Sequence, residues 1–439
     1  MSLKEILLDA YIAFENDLHG RTHTPVHQMR SKALALFEEK GFPTTRMEDW
    51  KYTQLGAVTK RDYIVLPKSD NGLSLQDIKP LCIDEIDAYR MVFVNGIFSS
   101  SLSNTNSNDC KMSCLCDELD HHTPVISERF NRLAQSKEES LTSLNTAFAV
   151  EGALIQVPDH AVVSKPIHIL YVSTGNGRDV MVQPRNLIVA GKNSRVNLIE
   201  QHVSLGNHHV LNNSVTEIFA DRDAQLNLYK IQRDSDQSAL VDSTYIDQKK
   251  QSNVRVFTFA LGGKFVRNNL SFHLGEDHAH AELYGFTLLN KNEFADHHTT
   301  VDHAVPDCES TELYRGIFDD KSHGVFNGKV IVRPDAQHTN AFQQNNNVLL
   351  SDSASIDTKP ELEIYADDVR CSHGCTVGEL DHEALYYLRS RGIPEREAQA
   401  MLLMAFKGDI VSKIHSESLR KYIDRLIAEK LGVNLELDL

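Results

Sequence analysis

From about residue 150 to 370, helical periodicity disappears and short runs of alternating apolar residues take its place. Ile167, Ile169 and Tyr171 alternate, as do Val196 with Leu198, Leu226 with Leu228, Val254 with Val256 and Leu362 with Ile364. Side chains two apart share one face of a strand, so this alternation marks strands with one buried face. Four segments, NSRVNLIE, DAQLNLYK, SNVRVFTF and HAHAELYG, each join a polar turn to a short strand. Their first apolar residues, Val196, Leu226, Val254 and Ala281, stand 27 to 30 positions apart. A period of that size belongs to solenoids, where each repeat buries its apolar face only against its neighbours. Short strands without intervening helices make the matching solenoid a β-helix. An antiparallel sandwich also spaces short strands regularly and is the alternative.

Both ends of the chain read as helix. Leu3, Ile6, Leu7, Ala10, Tyr11 and Phe14 recur at three- and four-residue steps. A second helix is framed by Thr24 as N-cap, Pro25 at its first position and Gly41 past its end, with Met29, Ala33, Leu36 and Phe37 as its expected buried stripe. A strand-like piece, MVFVNGIF at 91–98, a Ser/Asn-rich loop at 99–109 and a helical patch near 127–135 follow. At the other end a helix over Glu383–Arg391 stops at Gly392, and Pro394 opens the next, with apolar residues Ala398, Met401, Leu402, Ala405 and Phe406. A third helix begins near Glu417 and uses Leu419, Ile423, Leu426 and Ile427. The chain thus divides into a helical and mixed region over 1–150, a β core over 151–376 and a helical docking region over 377–439.

Charge narrows the partners. The 45 basic residues are outnumbered by 61 acidic ones, a formal net charge of −16. Neutralising a phosphate backbone requires a basic surface, so nucleic acid is not an expected partner. Seven cysteines are few and odd in number, which suits reduced thiols in the cytoplasm better than a disulfide framework. The opening MSLKEILLDAYIAFEND is acidic and does not read as a signal peptide. The longest strongly apolar run, MLLMAF at 401–406, falls far short of the ~20 residues that span a bilayer, so a soluble protein without membrane contact is expected.

Catalytic signatures are sparse. GVFNGKV at 324–330 approaches a phosphate-binding loop but is one residue short between its glycines, and Val330 stands where a hydroxyl would hold magnesium. Among 21 histidines, His278 and His280 with Glu282, and His297, His298 and His303, are candidate metal ligands. The competing reading is that solenoid strands simply expose rows of polar residues. Glu361 and Glu363 share one face of a strand, but without basic residues to hold an acidic polysaccharide they read as a solvated or interface face. Cys110, Cys114 and Cys116 in CKMSCLC lack a nearby fourth ligand. Cys371 and Cys375 flank His373 in CSHGC, where thiolate and imidazole together can ligate iron or accept sulfur.

The stretch 342–408, running from FQQNNNVLLSDSASIDTKPELEIYADDVRCSHGC through TVGELDHEALYYLRSRGIPEREAQAMLLMAF, closely resembles the signature of the SufB/SufD family of iron–sulfur cluster assembly proteins. CSHG followed by TVG resembles the SufD branch of that family, as does FPTTRMEDWKYT at 42–53, which holds the single Trp50. With anchors at both ends, the resemblance covers essentially the whole chain. It implies a mainly β fold, a right-handed parallel β-helix between helical ends, and a role in the SUF system as an assembly subunit rather than an enzyme. It further implies a heterodimer with SufB through the β-helix, and SufC ATPase binding through the C-terminal helices from Asp381 to about Lys413. Within those helices the implied contact residues are Leu385, Tyr386, Leu388, Arg389, Arg391, Gly392, Met401, Leu402 and Phe406. ATP hydrolysis in SufC would then remodel the SufB–SufD interface, in support of cluster formation and iron acquisition there.

On the same resemblance, His373 and Cys371 fall on the positions that would meet a nascent Fe–S cluster shared with SufB, with no cofactor tightly bound to the isolated chain. Cys375 departs from the family's usual alanine, which leaves the ligand set open. Self-pairing of the isolated chain is expected where SufB is missing, because a surface built for a partner is apolar or edge-like. The alternative function is a metal-dependent β-helix enzyme built on His278, His280 and Glu282.

Overall fold

The computed structural model describes residues 2–17, 23–65, 67, 72–83, 86–135, 139–175 and 177–433. Two long sheets dominate it, and each adds strands in steps of two along the chain. Successive strands therefore alternate between the sheets and pair in parallel with the strand one coil earlier, which makes a parallel β-solenoid. The first sheet runs from Ala153–Val157 to Ser355–Ile364, and the second from Ile167–Thr174 to Arg370–Gly378. The sandwich alternative is excluded by this parallel register.

The sequence period is the ladder itself. Val196 pairs with Leu226, Leu226 with Val254, and Val254 with Ala281, all buried in the lumen between the sheets. Six coils enter the second sheet through a turn with one left-handed residue: Asn193, Asp223, Gln251, His278, Asp307 and His338, with φ between 54° and 61°. Asn and Asp tolerate this conformation best, which explains the polar turn that precedes each strand. Outside the second sheet, Tyr229, Phe257 and Tyr284 stack in register with ring centroids 4.9 Å apart at each step. Offset stacking of this kind adds to the burial that holds neighbouring coils together.

Helices cover the outer faces. Helix Leu3–Asp17 and helix Pro25–Lys40 share a core with Met181, Leu211, Val241 and Phe265 of the first sheet. Thr24 caps the second helix by accepting from His27 N, and Gly41 ends it at φ 67°. Its buried residues are Val26, His27, Arg30, Ala33 and Phe37, while Met29 and Leu36 are only partly buried. Arg30 is accommodated because its guanidinium donates twice to the Ala149 carbonyl, at 3.0 and 2.5 Å. The helical patch near 127–135 proves to be helix Pro124–Arg129, ended early by left-handed Asn131.

Helices Glu395–Val411 and Glu417–Leu431 lie on the second sheet, where Leu403, Ile410, Leu419, Ile423 and Ile427 meet Phe257, Phe259 and Phe286. The first of these turns Leu403, Lys407, Ile410 and Val411 inward, whereas Met401, Leu402 and Phe406 are partly buried and Ala405 is exposed. Among the described residues no helix is long and apolar enough to cross a membrane.

The N-terminal segment around Trp50 is a clamp. Trp50 is 1% exposed beneath the Arg267 guanidinium, 3.9 Å from the ring centroid. Arg267 donates to the Asp49 carbonyl at 2.9 Å and pairs with buried Asp296, which also accepts from Thr53 Oγ1. One solenoid ion pair thus fixes the segment to two coils.

Candidate functional site

The two ends of the solenoid differ. At the N-terminal end the parallel pattern is broken by antiparallel pairs: Ile97–Phe98 returns along Tyr89–Val94, and Lys111–Cys114 runs against Ala153–Val157. At the C-terminal end the last strands, Ser355–Ile364 and Arg370–Gly378, close the strand order of their sheets, and no described strand lies beyond them. Their outer backbone edges are free. Exposed Ile364, Tyr365 and Val377 stand at or beside these edges, at 40%, 62% and 49% exposure.

Cys371, His373 and Cys375 all lie on the last strand and alternate, so they share its inward side. The ladders make this concrete. Cys371 continues the column Val196, Leu226, Val254, Ala281, Ser310 and Ala341. His373 continues Leu228, Val256, Leu283, Glu312 and Gln343, and Cys375 follows Tyr314 and Asn345. Along the lumen these columns change from apolar to polar as they approach the open end. Cys371 is partly buried against Ala341 and Val369, and burial pushes its thiol up. His373 is exposed. Cys375 Sγ lies 2.8 Å from Thr358 Oγ1 across the lumen, on the other free strand.

Alternate residues of a strand are separated by roughly 6.6 Å, too far for three such side chains to close on one ion without rearrangement. Consistent with that spacing, the one group of three metal-ligating side chains within 4.8 Å of one another among the described residues lies elsewhere, at Cys114, Cys116 and Glu151. The Cys371–His373–Cys375 row therefore closes on no ion by itself, and it opens to the side that a further coil would occupy.

Behind His373 the lumen is polar and closed. Gln343 Nε2 donates to Glu312 Oε2 at 2.7 Å, and Asn347 Nδ2 donates to Asn345 Oδ1 at 2.7 Å. Glu312 is 3% exposed, and burial pushes its carboxyl up to about 7. Glu312 Oε1, Gln343 Oε1 and Asn347 Oδ1 are buried acceptors without a partner among the described residues. Deeper still, Lys230 reaches Glu200 at 3.4 Å and also pairs with Asp242, all three fully buried. Burial opposes charge on Glu200, but Lys230 and His202 outweigh it and hold the carboxyl low.

The other sequence candidates resolve into structure. His278 occupies the left-handed turn, not the strand, so it does not share a face with His280. Its ring lies 3.6 Å from Asp277, while His280 faces Glu309 at 3.4 Å. Glu282 is engaged by Arg255 Nε and the Tyr284 hydroxyl, both at 2.7 Å. These three form no metal centre, which corrects the alternative enzyme reading. His297 and His303 point into the lumen, bonded to Thr287 and Ser310, and burial lowers both to about 4. His298 pairs with Asp296 instead. Glu361 and Glu363 face outward against Lys359 and Lys329. The GVFNGKV run is a buried strand: a Cβ on Gly328 would come 2.3 Å from Gln343 Nε2, so its glycine makes room for the lumen. The polar lumen itself was missed in the sequence reading. Its signal was present in the unbroken polar run QQNNN at 343–347, which leaves the inward positions Gln343, Asn345 and Asn347 polar.

The C-terminal helices present a mixed surface. In helix His382–Ser390, Leu385 is buried, while Tyr386 and Tyr387 are 75% and 56% exposed. Leu388 is partly buried; Arg389, Arg391 and Gly392 are exposed. Arg391 stacks on the Tyr387 ring at 5.1 Å, and Arg315 stacks on Phe406 at 4.8 Å.

Comparison with known proteins agrees with this architecture. Residues 171–406 match the SufBD core domain of the SUF system for Fe–S cluster assembly, and residues 1–169 match the SufBD N-terminal region. The chain is 34% identical over 402 residues to an iron–sulfur cluster assembly SufBD family protein of Synechocystis, covering 89% of this chain and 88% of the relative. It is 30% identical over 423 residues to the iron–sulfur cluster assembly protein SufD of Escherichia coli, covering 94% and 95%. SufD of Bacillus subtilis is 28% identical over 322 residues, 71% of each chain. A half-open solenoid carrying a Cys–His–Cys row, matched along nearly its whole length, places this chain in the SufBD family, with a role in SUF iron–sulfur cluster assembly.

Proposed function

We propose that this chain is a non-catalytic cytoplasmic subunit that pairs with SufB end to end through the open solenoid, and that a nascent cluster forms where the two meet. The observation that carries this reading is the last coil. It combines free strand edges, exposed apolar side chains and three potential ligands that are too widely spaced to complete a site alone. Cys371 and His373 would supply ligands from this side, with Cys375 a further thiol across from Thr358. Soft thiolate with imidazole suits iron and sulfide. The cluster is cargo, shared with the partner and then handed on.

The exposed helix His382–Ser390 is the proposed dock for the SufC ATPase. Paired tyrosines flanked by arginines are the composition of interface hot spots. Because the neighbouring helices are anchored on the second sheet, a push on this surface would reach the solenoid and its open end. Without SufB, the same free edges would favour pairing with a second copy. Light scattering that shows a clean monomer at micromolar concentration would count against that corollary.

Anaerobic co-purification of the tagged chain with SufB and SufC tests the reading, beside a version ending before Glu379. Retention of both partners by the full chain, and loss of direct SufC contact on truncation, is the expected result. Changing Tyr386 and Tyr387 to Ala should weaken SufC binding by at least tenfold, and His373→Ala should lower cluster yield while SufB stays bound. If neither partner is retained, the proposal is wrong.

A further inference from the structure

A second cluster of reactive side chains lies far from the last coil in sequence, in the cap at the N-terminal end of the solenoid. Strand Lys111–Cys114 runs directly into helix Leu115–His121, which places Cys114 and Cys116 at the corner. The backbone there is pinned: Leu115 N donates to the Gly152 carbonyl at 2.8 Å, and Arg185 N donates to the Glu151 carbonyl at 2.9 Å. Gly152 sits at φ 153°, and a Cβ there would fall 1.9 Å from the Arg185 carbonyl oxygen. Glu151 is thereby held beside the thiols, with Oε2 at 2.8 Å from Cys114 Sγ and 3.3 Å from the Phe98 N–H. Burial, with Asp117 adding to it, pushes its carboxyl up to about 7. On its other side Glu151 faces an apolar cleft walled by Phe14, Ile97, Phe148 and Met181.

The two cysteines are unequal. Cys114 is 2% exposed and accepts from the Cys116 N–H at 3.3 Å, whereas Cys116 is partly exposed. Their Cα atoms stand 5.3 Å apart, within the span that a disulfide bridges. Cys110, which the sequence groups with them, is buried separately and turned toward Ser107. The three cysteines adjacent in sequence therefore separate into Cys110 alone and the Cys114–Cys116 pair beside a carboxylate.

We propose that Cys114, Cys116 and Glu151 form a redox-active dithiol site that exchanges with a disulfide substrate. Cys116, as thiolate, attacks one sulfur of the external disulfide, forming a mixed disulfide and expelling the first thiolate, which takes a proton from water. Cys114 gives its proton to Glu151, and its sulfur attacks Cys116 Sγ. The Cys114–Cys116 bond closes, the mixed disulfide breaks, and the second thiolate leaves with the proton held by Glu151. Two electrons pass from the cysteine pair to the external disulfide, which leaves as two thiols. A carboxylate held 2.8 Å from the buried sulfur is placed both to accept and to return that proton. The partly exposed thiol is the one that an external disulfide can reach.

The test uses the full reduced chain, incubated anaerobically with glutathione buffers of increasing disulfide fraction, then acid-quenched, alkylated and mapped by peptide mass. Reversible closure between Cys114 and Cys116, with Cys82 and Cys308 remaining thiols, is expected. Cys114→Ser should trap glutathione on Cys116, which keeps the proposal testable even where the carboxylate variant folds poorly. Glu151→Gln should leave the first attack unchanged and slow closure by roughly tenfold or more near pH 7, with recovery at higher pH as hydroxide replaces the base. No closure at any ratio would overturn the proposal. So would an unchanged pH profile in Glu151→Gln, or one equivalent of zinc held by the reduced pair that abolishes exchange, since that outcome assigns a metal site instead.

Discussion

Glu312 offers a quantitative handle on the lumen behind His373. It is 3% exposed, bonded through Oε2 to Gln343, and burial raises its carboxyl from 4.5 to about 7. A folded pKa above the unfolded one means that the folded chain holds a proton that the unfolded chain releases. The stability this contributes is fully present below about pH 4.5 and is lost as pH rises through 7. At about 1.36 kcal/mol per pH unit, the rise gives a span of about 3 kcal/mol. Between pH 5 and 8.5 about 2–3 kcal/mol of it should be lost. Glu312→Gln keeps the shape and the acceptor that Gln343 uses, yet cannot ionise. The variant's margin over the parent should grow by about 2–3 kcal/mol between pH 5 and pH 8.5, read by urea unfolding followed by far-ultraviolet circular dichroism. At ~2.1 cal/mol/K per residue over 439 residues, that equals about 3 °C in Tm. Other titrating groups are common to both proteins and cancel in the difference. A difference that does not change with pH, or a parent that gains on the variant as pH rises, would refute the reasoning.

Acid should expose the opposite effect. His168, His297 and His303 are buried with pKa lowered from 6.5 to about 4, so the stability present above pH 6.5 should fall as pH drops toward 4, by about 3 kcal/mol for each histidine; replacing His297 with Asn should flatten that profile in acid urea titrations. Arg185 and Glu217 are both fully buried at 2.7 Å, and Glu217 also accepts from Asn131 and Leu133 N–H groups. Glu217→Ala should cost about 3–5 kcal/mol in the same assay, because the guanidinium keeps its charge without its partner. A loss under 1 kcal/mol would mean that water reaches the site. Phe257→Ala removes the middle ring of the Tyr229–Phe257–Tyr284 stack and should cost about 3–5 kcal/mol. Hydrogen exchange should then show weakened protection in Glu395–Leu431, and unchanged protection there would dissociate the stack from the two C-terminal helices packed on it.

Much of the fold was legible because the signals are local or strictly periodic. Val196, Leu226, Val254 and Ala281 reveal the coil length, and Thr24, Pro25 and Gly41 mark a helix at both ends. The repeat fades where its column leaves the apolar class, at Ser310 and finally Cys371, although the register continues unbroken. Residue identity there answers to the open end, not to the core. His278 misled for a related reason: a left-handed turn position takes several polar residues, and histidine in that place looks like a ligand. The inward face of Glu395–Val411 was hard to assign because apolar residues surround that helix, while buried Lys407 depends on Asp424 of the next helix. Arg30 and Glu151 owe their roles to partners far along the chain, which no local pattern encodes.

The two free strands at the open end are not equivalent, and the difference bears on how a partner would join. Ser355–Ile364 carries Lys359 and Pro360 at its centre and Glu361 and Glu363 beside them, with Lys359 also tied to Glu48 at 2.9 Å. Lysine and proline are the residues that natural sheets use to keep an edge from pairing, and proline has no N–H to offer. Arg370–Gly378 carries neither; it presents Cys371, His373, Gly374, Cys375 and Gly378 along an edge with nothing stacked on it. A partner strand added there would continue the second sheet, and parallel or antiparallel register would decide which of its side chains face Cys371 and His373. A one-residue slip would turn every facing side chain to the other side of the sheet. On the proposed function, pairing through this strand would link assembly to ligand geometry, whereas the guarded strand could part without disturbing it. A subunit moved through its C-terminal helices would use that division: one edge to specify the site, and one to let the interface open.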